Sequence, residues 1–236
     1  AISKGRYVLL LNPDTIVLDN ALVKMVRFLD SDSGIGALGC KILTVNGEVD
    51  FRCARRFPSI WSELFEKTSL AANFPHSRLF GGYLMSYWDH RNDREVDLLL
   101  GACIMVRRET IEKIGMMDED FFMYGDDVEW CYRIKKAGWR VFYYSGAETI
   151  HIGGQSRELA NMQMSIEALR SMNLFFKKHH GHIYAWIHRI LMFFITVGKQ
   201  LVFHTRYLTV QDTEQRRWYR DKIESHGRVL RWIVAG

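Results

Sequence analysis

Short apolar runs that alternate with helical patterns restrict the fold of this sequence more than any other feature. The run Tyr7–Leu11 is apolar throughout, and Ile35–Leu43, which is apolar except at Lys41, is predicted to be a second strand. Continuous apolar runs of this length are typical of strands inside a parallel sheet that is covered on both faces. Helical patterns follow at about residues 20–30 and 128–137, and the second ends at Gly138, where a left-handed C-cap is expected. The alternation predicts an α/β layered fold.

The carboxyl-terminal part of the chain has a different pattern. From about Glu158 onward the pattern is helical, and residues 183–203 are apolar except at a few positions, which include His188, Arg189 and Lys199. The uninterrupted apolar stretch, residues 190–198, is shorter than the ~20 residues that a spanning helix needs. The segment is therefore predicted to lie on a membrane surface, with a helix packed on the body of the protein as the alternative.

The charge distribution supports an anionic partner for this segment. Residues 165–236 carry 12 Lys and Arg against 5 Asp and Glu, although the whole chain has a net charge of only +5. Nucleic acid and the cytoplasmic leaflet of a membrane are both anionic surfaces. Because no zinc-finger, homeodomain or RNA-binding signature accompanies the basic residues, nucleic acid is not expected as a partner.

The cysteines indicate a reducing compartment. The four of them form no C-x-x-C pair, and no secretory signal opens the sequence. Free cytosolic thiols are therefore expected. They are Cys40, Cys53, Cys103 and Cys131.

Asp14 is the first residue that could carry chemistry. It follows the predicted strand Tyr7–Leu11, at the edge where open α/β sheets bind ligands. A carboxylate at this place suits Mg²⁺ or Mn²⁺ carrying a diphosphate. The alternative is an ordinary Asn-Pro-Asp turn without a ligand.

The adjacent acids Asp126 and Asp127 stand at a predicted helix start, behind Gly125. One of them could act as a general base that removes a proton from a sugar hydroxyl. Capping of the helix and complementation of its dipole explain the same pair equally well.

Three further residues have two interpretations each. His151 closes a predicted strand, where it is either structural or a metal ligand. Arg107 follows an apolar strand, where it either binds phosphate or marks a solvated strand end. Trp130 is either a core residue or a platform on which a sugar stacks.

Several segments, taken in order, resemble family 2 glycosyltransferases of the GT-A fold. The branch most resembled contains rhamnosyltransferase-like and galactofuranosyltransferase-like enzymes. The resemblance covers about residues 5–160, and the order and separation of the segments make it specific. The matching segments are residues 10–15 (LLNPDT), 101–108 (GACIMVRR), 121–131 (FFMYGDDVEWC), 136–139 (KAGW) and His151.

The resemblance implies a metal site around Asn12-Pro13-Asp14, in which Asp14 contacts a divalent cation, Mn²⁺ or Mg²⁺, and the donor diphosphate. Asn12 stands where the family's Asp-x-Asp motif has its first acid. An asparagine there still offers a carbonyl oxygen or a group that binds ribose. His151 is similar to the histidine that completes the metal site in galactofuranosyltransferases.

The resemblance also implies roles around the acid pair. Asp127 matches the second acid of the family's pair, which is the catalytic base, and Asp126 is assigned to acceptor or sugar hydroxyls. Gly101 and Ala102 resemble the segment that forms the floor of the donor and acceptor pocket. Arg107 and Trp130 are included among the expected substrate-binding residues.

The function implied is an inverting transfer by a single in-line displacement. The donor is a dTDP- or UDP-sugar, with rhamnose preferred, and the acceptor is a cell-surface glycan or a lipid-linked molecule. The expected place is the inner face of the cytoplasmic membrane, and a homo-oligomer is a further expectation. Residues 1–157 are expected to form the metal-binding and catalytic portion of a partial GT-A domain (Rossmann-like, with a mixed sheet). Residues 158–236 are expected to form helices that associate with the membrane.

Family members begin with further βα units that bind the nucleotide base, and nothing in this sequence corresponds to them. The resemblance therefore implies that the chain starts at the strand carrying the metal motif and needs a nucleotide-binding half for activity. The alternative is a catalytically inert remnant that acts as a membrane-associated partner or scaffold. The joint retention of Asp14, Asp127 and His151 argues against that alternative.

Overall fold

The computed structural model describes residues 3–121, 124–153 and 157–235, without the side chains of residues 157–165. Phe122 and Met123 of the matched motif and Gly154 beside His151 lie outside the described residues. The strands are β1 (Tyr7–Leu11), β2 (Thr15–Val17), β3 (Ile35–Leu43), β4 (Ala54–Arg55), β5 (Arg94–Val96), β6 (Leu98–Leu99), β7 (Cys103–Arg107) and β8 (Arg140–His151). The helices are α1 (Ala21–Ser31), α2 (Ile60–Lys67), α3 (Leu70–Asn73), α4 (Arg108–Ile114), α5 (Asp126–Lys136), α6 (Arg157–His180), α7 (His182–Thr209) and α8 (Thr213–Ala235).

Six of the strands form one mixed sheet. Its order is β1-β7-β3-β8-β2, and β5 also pairs with β8. The pairing of β3 with β8 is parallel, and the other pairings are antiparallel. Strands β4 and β6 form a separate two-stranded sheet. The predicted class, α/β with a mixed sheet followed by C-terminal helices, is confirmed.

The position of β1 differs from the expectation drawn from its apolar run. The strand pairs antiparallel with β7, from Tyr7 opposite Arg107 to Leu11 opposite Cys103. Among the described residues no other strand pairs with it, and Leu11 is exposed. The prediction of a strand inside a parallel sheet is wrong for this part of the chain, because an apolar run reports burial and not the direction of neighbouring strands.

Strand β3 lies at the centre of the sheet and is buried along almost its whole length. Helix α1 covers one face, where the Phe28 ring stacks on Tyr144 at 4.4 Å between centroids. On the other face Tyr143, which precedes Tyr144 in β8, contacts Trp88 and His90. Alternate side chains of β8 thus point to opposite faces, as the pleat of a strand requires. The four cysteines are buried and free, as the sequence predicts.

The three C-terminal helices pack on this body and on one another. On α7, Tyr184 accepts a hydrogen bond at its hydroxyl from Ile60 N (3.1 Å), and His188 is buried with Nε2 3.8 Å from Glu63 Oε2 of α2. Along α8, Gln200 Nε2 of α7 donates to Ile223 O at 3.1 Å. The helical character of this region is confirmed, and the domain boundary between residues 157 and 158 stays a prediction.

Within the described residues, α7 is the one helix that is long and apolar enough to cross a membrane, judged by length and composition alone. Its best 18-residue window has a mean hydropathy of 1.3, and 17% of that window is buried in the protein. This 18-residue window is longer than the uninterrupted apolar stretch of residues 190–198 on which the sequence-based prediction rested. Composition alone does not decide between a spanning and an interfacial helix.

Candidate active site

The ends of β1 and β8 meet because β2 pairs with β8. Thr15 lies opposite His151 in this antiparallel pair, and Ile152 N donates to Asp14 O at 2.9 Å. As a result His151 Nε2 lies 3.3 Å from Asp14 Oδ1 and 3.5 Å from Asn12 Nδ2. His151 is thus brought next to Asn12 and Asp14, from which it is distant in the sequence.

The side chains of this cluster suit a divalent cation that also carries a diphosphate. A carboxylate, an imidazole and an amide carbonyl are ligands that Mn²⁺ accepts, and the carboxylate suits Mg²⁺ as well. His151 Nδ1 is buried without a hydrogen-bond partner among the described residues, and Asp14 is partly open to solvent. The described residues contain no group of three or more His, Cys, Asp or Glu side chains that could hold a metal ion. The cluster therefore fits a cation whose remaining ligands come from phosphate and water, and it does not fit a closed metal cage.

The turn before β7 connects this cluster to the acid pair. Asn12 N donates to Ala102 O at 3.0 Å, and Thr15 Oγ1 donates to the same oxygen at 3.3 Å. On the other side of the turn, Gly101 N lies 3.4 Å from Asp127 Oδ2. A Cβ atom at Gly101 would lie 3.7 Å from Asp127 Cβ, which is ordinary contact. Gly101 and Ala102 therefore lie between the cluster of Asn12, Asp14 and His151 on one side and Asp127 on the other, as the predicted floor of a substrate site would.

Asp127 is nearly buried, and both of its oxygens have partners. Its Oδ2 accepts from Arg55 Nη2 at 3.0 Å, and its Oδ1 accepts from Val128 N at 2.8 Å. Arg55 Nη1 donates in turn to Tyr83 Oη at 3.0 Å. Burial works against the Arg55 cation, but the contacts with Tyr83 and Asp127 outweigh it and raise the pKa of the guanidinium.

Asp126 has different surroundings from its neighbour. Burial raises the pKa of its carboxyl above the ordinary value, and the negative charge of Asp127 raises it further. Backbone hydrogen bonds at the start of α5, including one from Gly125, offset part of this effect. A buried carboxyl with a raised pKa beside a second carboxylate is frequent at acid–base sites.

Arg107 does not belong to this site, and its expected substrate-binding role is corrected. It lies at the far end of β7, opposite Tyr7, whereas the site is at the end where Leu11 pairs with Cys103. Its guanidinium donates to backbone carbonyl oxygens, namely those of Leu29 (2.6 Å), Asp32 (3.1 Å) and Ile35 (3.1 Å). These bonds connect α1, β3 and β7, which is a structural role.

Trp130 is also a core residue, so its expected contact with a sugar is corrected. The side chain is fully buried, and its Nε1 donates to Gly115 O at 3.1 Å. A stacking platform needs an open ring face, and helix α5 turns this ring toward the interior.

Sequence reasoning missed Arg55 and Tyr83, which lie in a segment where no pattern predicted a site. It also missed Asp50, whose carboxylate binds Arg52 in a bidentate pair with distances down to 2.6 Å. Burial raises the pKa of Asp50, but the bonds from Arg52 and the nearby His151 outweigh burial and hold it below its usual value. Arg55 lies on the short strand β4, Asp50 N donates to Ile42 O of β3, and Tyr83 lies outside the strands and helices, so a linear pattern does not reveal these residues.

Comparison with known proteins places the chain in a family. A family model described as "Glycosyltransferase like family 2" matches residues 1–220. The chain is 30% identical over 145 residues, 61% of its length and 46% of the relative's, to an N-acetylglucosaminyl-diphospho-decaprenol L-rhamnosyltransferase of Mycobacterium tuberculosis. It is 24% identical over 148 residues, 61% of its length and 52% of the relative's, to the rhamnosyltransferase WbbL of Escherichia coli.

The chain spans about half the length of these two curated relatives. A third relative, the O-antigen biosynthesis protein RfbC of Myxococcus xanthus, is 29% identical over 156 residues, which are 66% of this chain and 12% of that protein. Among solved structures, a crystal structure of GalNAc-T7 with UDP, GalNAc and Mn²⁺ aligns with a TM-score of 0.47 at 12% identity. That alignment covers 98% of this chain and 41% of the other.

Proposed function

The chain belongs to glycosyltransferase-like family 2, and from this membership and the geometry of its site we propose that it transfers a sugar from a nucleotide-sugar donor. The membership, together with the mixed sheet, agrees with the GT-A class that the sequence predicted. The single observation that carries the proposal is the Gly101-Ala102 turn, which hydrogen-bonds to Asn12 on one side and to Asp127 on the other. The turn thus lies between the cluster proposed to bind the diphosphate and the proposed base.

The proposed donor is a dTDP- or UDP-sugar, with rhamnose preferred. Two relatives carry rhamnosyltransferase in their names, and one of those names contains a diphospho-decaprenol acceptor. A cell-surface glycan or a lipid-linked molecule is therefore the proposed acceptor. The alternative is a catalytically inert partner or scaffold, and the binding experiment described below separates it from the transferase.

In the proposed reaction Asp127 accepts the proton of an acceptor hydroxyl. The hydroxyl oxygen forms a bond to the anomeric carbon, while the bond from that carbon to the diphosphate oxygen breaks and its electron pair leaves with the nucleoside diphosphate. One displacement of this kind inverts the anomeric configuration. Asp126 lies beside Asp127, where it can accept hydrogen bonds from sugar or acceptor hydroxyls.

The same site would hold Mn²⁺ or Mg²⁺ through Asp14 and His151, with Asn12 beside them. When bound, such a cation supplies positive charge that stabilises a departing diphosphate. The residues themselves place the carboxylate and the imidazole next to each other through the β2–β8 register, and the half-open Asp14 leaves room for phosphate oxygens.

We also propose that α7 rests on the cytoplasmic surface of a membrane. Exposed apolar side chains recur along it at helical spacing, and at about 100° per residue all but one of them fall within an arc of about 100°. Those inside the arc are Ile183, Trp186, Ile187, Ile190, Phe194, Leu201 and Leu208, and Val202 lies outside it. A continuous exposed apolar stripe on a basic element is the pattern of an interfacial helix.

The packing of α8 favours an interfacial over a spanning position. Arg189 and Gln200 of α7 both hydrogen-bond to backbone carbonyls of α8, so the two helices run side by side. A spanning α7 would carry the charges of α8 into the hydrocarbon, which is unfavourable. The basic residues concerned are Arg216, Arg217, Arg220, Lys222, Arg228 and Arg231.

Calorimetric titration with UDP and dTDP, with and without Mn²⁺, tests the donor site. We expect nucleotide binding that needs the metal and that weakens at least tenfold in Asp14→Asn, since one carboxylate ligand is lost. Asp19→Asn is the matched control, because Asp19 is an exposed acid in the same loop region and should bind as the parent does. Equal affinity in Asp14→Asn and the parent would remove Asp14 from the site. No binding by the parent protein would favour the inert partner.

A further inference from the structure

We propose that Arg55 is a positioning residue for sugar transfer, which holds the largely buried Asp127 carboxylate in place through a hydrogen-bonded ion pair. The inference deepens the proposed function and rests on it. The two side chains are each only 12% exposed, and Arg55 Nη2 lies 3.0 Å from Asp127 Oδ2. A buried charge needs a hydrogen-bonded partner, so a buried cation at this distance fixes the place of the Asp127 carboxylate.

The hydrogen bonds of Arg55 differ from those of the structural arginines in the same protein. Arg133 uses all three of its nitrogens, on Glu129 and on the carbonyl oxygens of Ile114 and Met116. Arg107 likewise uses all three, mainly on backbone carbonyls. These two side chains fasten elements of the fold to one another.

The guanidinium of Arg55 donates only to side chains among the described residues. Nη1 donates to Tyr83 and Nη2 to Asp127, while Nε is buried without a partner. An unpaired buried donor costs stability, and such groups in native proteins call for an explanation. A role in holding the Asp127 carboxylate explains why this guanidinium is buried there although its Nε has no hydrogen-bond acceptor among the described residues.

Tyr83 fixes the guanidinium from the other side. Its hydroxyl accepts from Arg55 Nη1, and its ring lies 5.7 Å from the Arg55 guanidinium carbon. Burial raises the pKa of Tyr83, so the phenol stays neutral and serves as an acceptor. The backbone of the same segment is also tied down, because Arg56 N donates to Tyr83 O at 2.9 Å. Arg55 therefore has one orientation in which it can meet Asp127.

Other titratable groups also face the pair of Arg55 and Asp127, and their titration contributes to a pH profile of the reaction. Asp126 and Cys131 lie on α5 itself, and Glu63 and Glu66 lie on α2. Arg52 and Cys53 face Arg55 from its own segment, and Tyr124 faces Arg52. Among these side chains and Tyr83, Arg55 is the one that hydrogen-bonds Asp127, so its removal should act on Asp127 first.

The test measures the pH dependence of kcat and KM for sugar transfer by the intact protein, with dTDP-rhamnose and UDP-sugars as donors. In Arg55→Gln we expect kcat to fall about 100-fold, since misplacement of a reacting group costs rates of this order, with the donor KM within threefold of the parent. The acidic limb of the kcat profile should move to higher pH, because a carboxylate that has lost its neighbouring cation holds its proton more tightly.

Two further variants distinguish a loss of positioning from a loss of folding. Arg55→Lys keeps the positive charge and should recover the position of the acidic limb. Tyr83→Phe keeps the ring and the packing and should lower kcat several-fold. Arg56→Gln is the matched control, since Arg56 is the exposed neighbour and should leave the profile unchanged. In an Asp127→Asn background, Arg55→Gln should cause no further loss, because both act through one group.

The possible outcomes are distinct. A profile in Arg55→Gln that keeps its parent position, with activity lost only in proportion to unfolded protein, overturns the positioning role. Additive losses in the double variant overturn it as well. If Asp127→Asn itself transfers sugar at the parent rate, the proposed function has failed, and that result is separate from a failure at Arg55 alone.

Discussion

Arg107 and Arg55 show how two arginines of one chain serve different purposes. The first donates to the carbonyl oxygens of Leu29, Asp32 and Ile35, at the end of the sheet away from the candidate site. The second is bound to Asp127. Each is the last residue of a strand, so residue type and local position do not separate them.

Arg107→Ala should lower the free energy of unfolding by about 3 kcal/mol, since several partly buried carbonyl oxygens lose their donor. Nucleotide affinity of the folded protein should stay within about twofold of the parent. Urea denaturation combined with calorimetry measures both. The matched control is Arg108→Ala, whose bonds to Gly5 and Ser3 are exposed, and it should change stability by less than about 1 kcal/mol. Loss of nucleotide binding with unchanged stability in Arg107→Ala would contradict the structural role.

Residue by residue, the sequence predicted the acids of the site better than their partners. Asp14, His151 and Asp127 stand at strand and helix ends, where position alone suggests chemistry. Arg55 and Tyr83 have no such position, because β4 is only two residues long and Tyr83 lies in irregular chain. Their role depends on which tertiary contacts they make.

At the level of elements, the register of β2 on β8 builds half of the candidate site. Thr15 opposite His151 places Asp14 beside the imidazole, and a shift by one residue would turn His151 to the other face of the sheet. The sequence predicted the strands at Tyr7–Leu11 and Ile35–Leu43. Strand β8 continues past a bulge, where the pairing passes from Tyr144 to Glu148 and Asp93 binds Ser145.

Helix α7 allows a test of the proposed membrane surface. Ile183→Ser, Phe194→Ser and Leu201→Ser together remove three exposed apolar side chains of the stripe without touching buried contacts such as His188. Flotation with anionic phosphatidylglycerol vesicles should show at least tenfold weaker binding than the parent, because each lost side chain contributes more than 1 kcal/mol at such an interface. Parent binding should also weaken as salt rises.

The matched control for this variant is Val45→Ser with Leu79→Ser. These two side chains are as exposed as those of the stripe but lie on the body of the protein. The control should bind vesicles as the parent does. Equal flotation of the triple variant and the parent would show that the stripe does not meet the membrane.

For the molecule as a whole, the alternation of apolar runs and helical patterns predicted the α/β class and the C-terminal helices. It did not predict that β1 pairs only with β7 among the described strands, since strand order depends on contacts between distant segments. The candidate site lies where three such long-range pairings converge, at the ends of β1, β7 and β8. A single sequence suggests which residues could react, and the sheet determines which of them meet.

Sugar transfer by Asp127→Asn is the measurement that bears most directly on the proposed transferase. With dTDP-rhamnose or a UDP-sugar and a polyprenyl-diphosphate-linked acceptor, we expect transfer to fall at least about 100-fold, since general bases contribute rates of this order. Mn²⁺-dependent nucleotide binding should stay close to that of the parent, because Asp127 lies outside the Asp14–His151 cluster. Transfer at the parent rate, or an equal loss of nucleotide binding and transfer, would contradict the assignment of Asp127 as the base.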